Sequence, residues 1–211
     1  MSIQNSTLHN DFRALVIGGW DAVDPAVRDR MDRLLTADGD TIFVGHGCVR
    51  RSNVGWFYAQ FCRAVGAPLV LKQGEDVETT VRVAPTKDGL RCWHRTFRFE
   101  DGSEQLVQTS KVIDPKLGLL DAVGPQGERR LATCLRVWTE GKSLHFASQA
   151  YFFRFRWFNL PVPSFLTPGR LIAEHRDLGD GSFVYILKFT HPIWGDTCYH
   201  EDIFRMQDAE I

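Results

Sequence analysis

The sequence predicts a mostly β α+β fold: a strongly curved antiparallel meander of about eight or nine strands, barrel-like or helix-wrapped, with N-terminal helices and one helix after the first strand. Three observations lead there. From residue 75 onward apolar and polar side chains alternate with period two, the signature of a half-buried strand. Turn signals interrupt that alternation at hairpin intervals: Lys87-Asp88-Gly89, Asp101-Gly102, Glu140-Gly141-Lys142, Gly179-Asp180-Gly181 and Trp194-Gly195-Asp196. Ahead of the meander, apolar residues recur at helical spacing instead.

In chain order, a short helix is expected over residues 8–15 and a stronger one over 24–35. In the second, Asp24 caps, Pro25 takes the first turn, and Val27, Met31, Leu34 and Leu35 line one face. Residues 41–50 read as a strand. Gly45 and Gly47 interrupt it where a bulge, or the close approach of another backbone, would suit a missing side chain. Asn53 is placed to cap a helix with Trp56, Phe57, Phe61, Ala64 and Val65 at helical spacing, ended by Gly66-Ala67-Pro68. Strands follow over 77–85, 90–100, 129–139, 171–177, 182–190 and 197–206. Between 159 and 169 three prolines exclude a central strand and favour an ordered apolar connection suited to covering a barrel mouth. One domain over 1–211 is expected: a helical segment 1–38, a strand and helix in 40–73, and the meander in 75–206.

Composition narrows the function. With 25 basic and 26 acidic residues the formal charge is -1, which provides no global field for nucleic acid or an anionic surface. Residues 1–10 lack a signal-peptide pattern and no apolar run reaches bilayer length, so a cytoplasmic protein without stable membrane insertion is expected. The five cysteines, an odd number without a C-x-x-C pair, read as reduced core or near-core thiols.

The order of features resembles the bacterial domain of unknown function 4166 across nearly the whole chain. The likeness rests on Asp11-Phe12-Arg13-Ala14-Leu15, Asp24-Pro25-Ala26-Val27-Arg28 and Gly74-Glu75-Asp76-Val77. It continues with Trp93-x-Arg95-x-Phe97, Leu160-Pro161-Val162-Pro163, Glu174 and Pro192-x-x-Gly195-x-x-x-Tyr199. The resemblance implies no reaction. It implies a domain found alone or fused to other modules, including reductase-like ones, and hence a reductase-like partner as one expectation. Where the family has glycine two positions beyond the final tyrosine, this chain has Glu201.

Chemistry is sought in polar groups on apolar faces. Arg95 shares a strand face with Trp93, Phe97 and Phe99, and a buried guanidinium needs an acceptor: Glu174 or Glu201, or the carboxylate, phosphate or carbonyl of a ligand. On the last strand, alternation puts Tyr199 and Glu201 on one side and His200 and Asp202 on the other. A Glu201 facing a cavity would be suited to acid–base work, with Tyr199 and Glu174 as its companions; otherwise this is the wet face of a terminal strand. The aromatic run 151–158 places Tyr151, Phe153, Phe155 and Trp157 on one face as an apolar wall.

No metal is expected, because the histidines lack ligand spacing, and no cofactor, because there is no G-x-G-x-x-G loop. Nor is there a G-x-S-x-G elbow. The reading is a cavity that binds a small hydrophobic molecule, lipid-, isoprenoid- or polyketide-like, through Arg95, Trp93, Phe97, Phe153, Phe155 and Trp157, without nucleic acid. The alternatives are a cofactor-independent isomerase, cyclase or hydratase using Glu201, Tyr199 and Glu174 in the same cavity, and an accessory domain for a reductase-like protein.

Overall fold

The computed structural model describes residues 11–64, 66, 69–124, 129–155 and 157–207. Its elements are α1 (Pro25–Thr36), β1 (Thr41–Arg51), α2 (Asn53–Ala64), β2 (Gly74–Pro85), β3 (Arg91–Arg98), β4 (Glu104–Asp114), β5 (Gly118–Val123) and β6 (Leu131–Glu140). They continue with β7 (Ser143–Arg154), β8 (Asn159–Pro161), β9 (Arg170–Asp177), β10 (Ser182–His191) and β11 (Gly195–Met206). Every strand pairing is antiparallel, in the order β6-β5-β4-β3-β2-β1-β11-β10-β9-β7, and pairing of β6 with β7 closes these ten strands into a barrel. The short β8 adds to the free end of β7.

The architecture is therefore the closed barrel rather than the helix-wrapped sheet. It holds eleven strands among the described residues, more than the eight or nine expected. Closure removes the sheet edges that would otherwise template aggregation. Of the short helix expected over 8–15, the described part is one 3-10 turn at Arg13–Leu15; residues 8–10, and Val65, Ala67 and Pro68 in the signal that ends α2, lie outside the described residues.

Helix α1 plugs one mouth. Asp24 accepts a hydrogen bond from the Ala26 amide at 2.9 Å and Pro25 occupies the first turn, as the sequence predicts. Val27, Met31 and Leu34 enter the barrel core beside Phe43, Phe183 and Phe204; full burial of each is worth about 1.5–3 kcal/mol as an upper figure. The other end of the helix is held from the barrel. The buried Arg91 guanidinium donates to the carbonyls of Leu34 at 2.9 Å and Gly39 at 3.0 Å, and to that of Ala37, using acceptors that a helix C-terminus leaves open. Arg30 pairs with Asp177 at 2.8 Å and lies over the Phe183 ring at 3.8 Å, sealing the plug.

The opposite mouth is covered by α2, by residues 69–70 and by the proline-rich connection 159–169. Ser52, not Asn53, caps α2: its Oγ accepts from the Gly55 amide at 3.1 Å. The buried stripe of α2 is Gly55, Ala59 and Cys62, small residues that let the helix lie close to the barrel, and its aromatic residues face outward. The connection is ordered, as expected. Tyr58 Oη donates to the Phe165 carbonyl at 2.8 Å and Tyr151 Oη to the Gly169 carbonyl at 2.7 Å.

Gly45 and Gly47 serve a close approach, with a register shift just beyond them. A Cβ at Gly45 would stand 2.5 Å from the Ile203 carbonyl and 2.6 Å from the Phe204 ring. One at Gly47 would collide with the Glu201 carbonyl and the Asp202 carboxylate, so the missing side chain gives Asp202 its space.

Candidate functional site

Between the two covers lies a largely apolar cavity of about 130 Å³. Its walls alternate with the strands, so one side chain in two points inward. Near both mouths the inward residues are apolar, for example Met31 and Phe146 at one end and Val49 and Leu69 at the other. Midway a polar belt crosses the interior: Arg95 from β3, Thr109 and Lys111 from β4, Asp121 from β5, Thr133 from β6, His175 from β9, Tyr185 from β10 and His200 from β11.

Two carboxylates serve the belt with different partners, Asp121 within it and Asp202 behind His200. Lys111 Nζ meets Asp121 Oδ1 at 2.7 Å, with side chains 12% and 15% exposed. The ammonium also lies 5.5 Å from the Trp93 ring and 5.6 Å from that of Phe146. Burial pushes the Lys111 pKa below its ordinary value, opposed by Asp121. Asp202, fully buried, forms an ion-pair contact through Oδ2 with His200 Nε2, while its Oδ1 accepts from Thr79 Oγ1 at 3.1 Å. Isolated buried charges cost several kcal/mol, so both groups depend on these partners.

Arg95 has no carboxylate. Its Nη1 donates to Thr109 Oγ1 at 3.0 Å, and among the described residues no acidic oxygen comes within 4.0 Å of it. Its Cζ lies 5.9 Å from the Tyr185 ring centre. The same ring has His175 at 4.7 Å and His200 at 6.1 Å, so Tyr185 is the hub on which one cation and two imidazoles converge.

The His175 ring lines the cavity. Burial, then the nearby Arg30, Lys111 and Arg95, hold its pKa well below the ordinary histidine value. It is a neutral imidazole whose Nδ1 finds no hydrogen-bond partner among the described residues. Burial also raises the Tyr185 hydroxyl pKa and pushes the cavity-lining thiols of Cys62 and Cys198 up to about 11, which keeps them protonated and non-nucleophilic at neutral pH.

Of the residues expected to bind a ligand, Trp93, Arg95 and Phe97 line the cavity. Phe153 is half-buried and is not part of the lining; Phe155 and Trp157 are 52% and 82% exposed. The chain leaves the β7 ladder at Arg154, so strand alternation no longer governs where Phe155 and Trp157 point.

The expected acid–base residues stand elsewhere. On β11 the inward face is Cys198, His200, Asp202 and Phe204, which puts Tyr199 and Glu201 on the outer face, hydrogen-bonded to each other. That bond pushes the Tyr199 pKa up to about 12. Glu174 is also on the outer face, accepting from Ser143 Oγ at 3.1 Å and pairing with Arg176 at 3.3 Å. The structure thus brings neither glutamate to Arg95.

The groups missed in the sequence had a signal of the kind that marked Arg95: Lys111 follows Val107 on one face, Asp121 sits between Leu119 and Val123, and His200 and Asp202 lie between Cys198 and Phe204. Among the described residues no group of three or more His, Cys, Asp or Glu side chains is arranged to hold a metal ion, and no helix is long and apolar enough to cross a membrane.

No curated protein matches the chain. Among solved structures, the dehydratase domain from the CurF module of curacin polyketide synthase is 9% identical over 86% of this chain and 81% of that one. Its TM-score is 0.19, a superposition too poor to bear on fold or function. The model of the family described as Domain of unknown function (DUF4166) matches residues 24–202, and the chain belongs to that family.

Proposed function

We propose that the barrel binds one small, mainly apolar molecule, lipid-, isoprenoid- or polyketide-like in character, whose single anionic or carbonyl end is received by Arg95. The observation that carries this reading is the Arg95 guanidinium in the cavity wall with a threonine hydroxyl as its hydrogen-bond partner and, among the described residues, no acidic oxygen within 4.0 Å. With Lys111 neutralised by Asp121, the lining keeps one net positive charge at mid-depth, surrounded by apolar wall. Cavities of about 150 Å³ admit a single aromatic ring, so the space suits a ring-sized or short-chain ligand rather than a long acyl chain.

Native mass spectrometry of the purified protein, followed by organic extraction, tests the reading. A stoichiometric apolar molecule with one acidic or carbonyl group is expected. Arg95→Ala should weaken its binding about ten- to a hundredfold, the value of one charge-assisted hydrogen bond of roughly 1.5–3 kcal/mol. Undiminished binding in Arg95→Ala would defeat it.

A second reading, a cofactor-independent isomerase, cyclase or hydratase, is favoured by the imidazoles. His200 is backed by Asp202, and a neutral His175 lies beside the same Tyr185 ring as Arg95. That chemistry would belong to the inner face of β11 rather than to Tyr199, Glu201 or Glu174. Its mark is turnover lost in His200→Gln with ligand affinity retained.

A further inference from the structure

The mouth opposite α1 carries an apolar rim built from three separate segments. Phe57 and Phe61 project from α2, Phe57 being 68% exposed; Trp157, Phe158 and Phe165 come from the stretch between β7 and β9, and Trp194 from the turn between β10 and β11. The three are joined into one surface. Tyr58 Oη bonds the Phe165 carbonyl at 2.8 Å, the Tyr58 ring lies 6.0 Å from His191, and His191 stacks on Trp194 at 6.3 Å. Isolated exposed aromatics need no explanation, whereas a contiguous set around one mouth marks an interaction surface.

Charge indicates what the surface meets. Across α2, residues 154–170 and residues 190–197, the one acidic side chain among the described residues is Asp196, and Lys188 pairs with it at 2.8 Å. Arg63, Arg154 and Arg170 lie in the same segments with no ion pair among the described residues. The far mouth differs: α1 mixes aspartate with arginine, and Arg13–Asp32, Arg28–Asp21 and Arg30–Asp177 are paired. Basic side chains without an ion pair also stand elsewhere, Arg33, Lys87 and Lys142 among them, but in segments that carry Asp32, Asp88 and Glu140, whereas the segments bearing the aromatics hold Asp196 as their one acid among the described residues.

Aromatic side chains interleaved with arginine, without acid, are the composition that settles into the headgroup region of a bilayer, the rings at the interface and the guanidinium groups on lipid phosphate. We infer that the α2 mouth of the barrel docks onto an anionic lipid surface, peripherally and without a membrane-spanning segment. This goes beyond the cavity reading and does not depend on it.

The test is co-sedimentation of the full chain with mixed phosphatidylglycerol–phosphatidylcholine vesicles against pure phosphatidylcholine vesicles, with quenching of tryptophan emission by brominated lipid as a second readout. Partition onto the mixed vesicles is expected, falling as salt rises. Combined Arg63→Gln, Arg154→Gln and Arg170→Gln should lower it by about a hundredfold, on the scale of fivefold per basic residue near an anionic surface. Phe57→Asp with Trp194→Asp should abolish it, while Leu178→Asp, in the turn between β9 and β10 at the α1 end, should leave it unchanged. These positions are exposed except Arg154, which is half-buried and keeps its aliphatic stem in glutamine, so circular dichroism and thermal unfolding should match the parent protein. Failure of the folded parent to bind either vesicle, or equal loss in Leu178→Asp, would overturn the proposal. So would a dimer, detected by sedimentation velocity, that Phe57→Asp dissolves, because the rim would then be an interface between copies.

Discussion

The two faces of β11 carry polar pairs of nearly the same composition and opposite circumstance. Outside, Tyr199 donates to Glu201 in contact with water; inside, His200 meets Asp202, which is 0% exposed and has Thr79 as its second partner. Removing a partner outside exposes a group that water can satisfy. Inside, it strands a charge in the barrel. A polar residue on a strand therefore takes its meaning from its neighbours two positions away, and here the apolar Cys198 and Phe204 mark the face that matters.

The largest break in that comparison should come from Asp202→Ala, which leaves His200 and Thr79 unpaired. A loss of about 3–5 kcal/mol is expected, measured by urea unfolding, with a fall in melting temperature of roughly 10 °C or more. Next comes the other interior carboxylate. Lys111→Met should cost about 3 kcal/mol by stranding Asp121, and adding Asp121→Leu should restore most of it, since a buried pair replaced by apolar side chains of similar volume is often neutral. A double cycle with no such recovery would show that the pair is not energetically isolated.

Acid sharpens the contrast further. The folded-state pKa of His175 is depressed, so the unfolded chain takes up its proton first. The stability contribution is complete above the unfolded value of about 6.5 and is lost as pH falls below it, by roughly 1.4 kcal/mol per unit for one proton. His94, lowered by burial and Arg82, adds in the same direction. The carboxylates held low by their partners, such as Asp11 and Asp88, lose their contribution only below about pH 4. Unfolding free energy should therefore decline between about pH 6.5 and 4.5, and His175→Gln should flatten most of that slope. The smallest effect belongs to the outer face: Tyr199→Phe or Glu201→Gln should change stability by less than about 1 kcal/mol.

Much of the barrel was legible in the sequence because its strands alternate and its turns carry glycine. α1 announced itself through Asp24, Pro25 and its apolar stripe, and Gly45 and Gly47 through their place in a strand. Neither β4 nor β5 was read as a separate strand, β5 for a physical reason. Leu119 faces the core, while Leu120 and Ala122 are buried on the outer side with Ala132 and Cys134, so both faces are apolar and the alternation disappears. β8, three residues among prolines, is too short to show a period. For the site, Trp93, Arg95 and Phe97 were readable because one charge stood among aromatics. The choice between the two sides of 199–202 was not, since alternation separates the faces of a strand without saying which one is wet.

The space that Gly47 leaves for Asp202 also sets an order of events for change in the family. A Cβ at 47 would meet the Glu201 backbone carbonyl as well as the Asp202 carboxylate, so glycine had to be in place before the acid and must stay even where the acid is lost. Relatives should therefore keep glycine at 47 whether or not position 202 is aspartate.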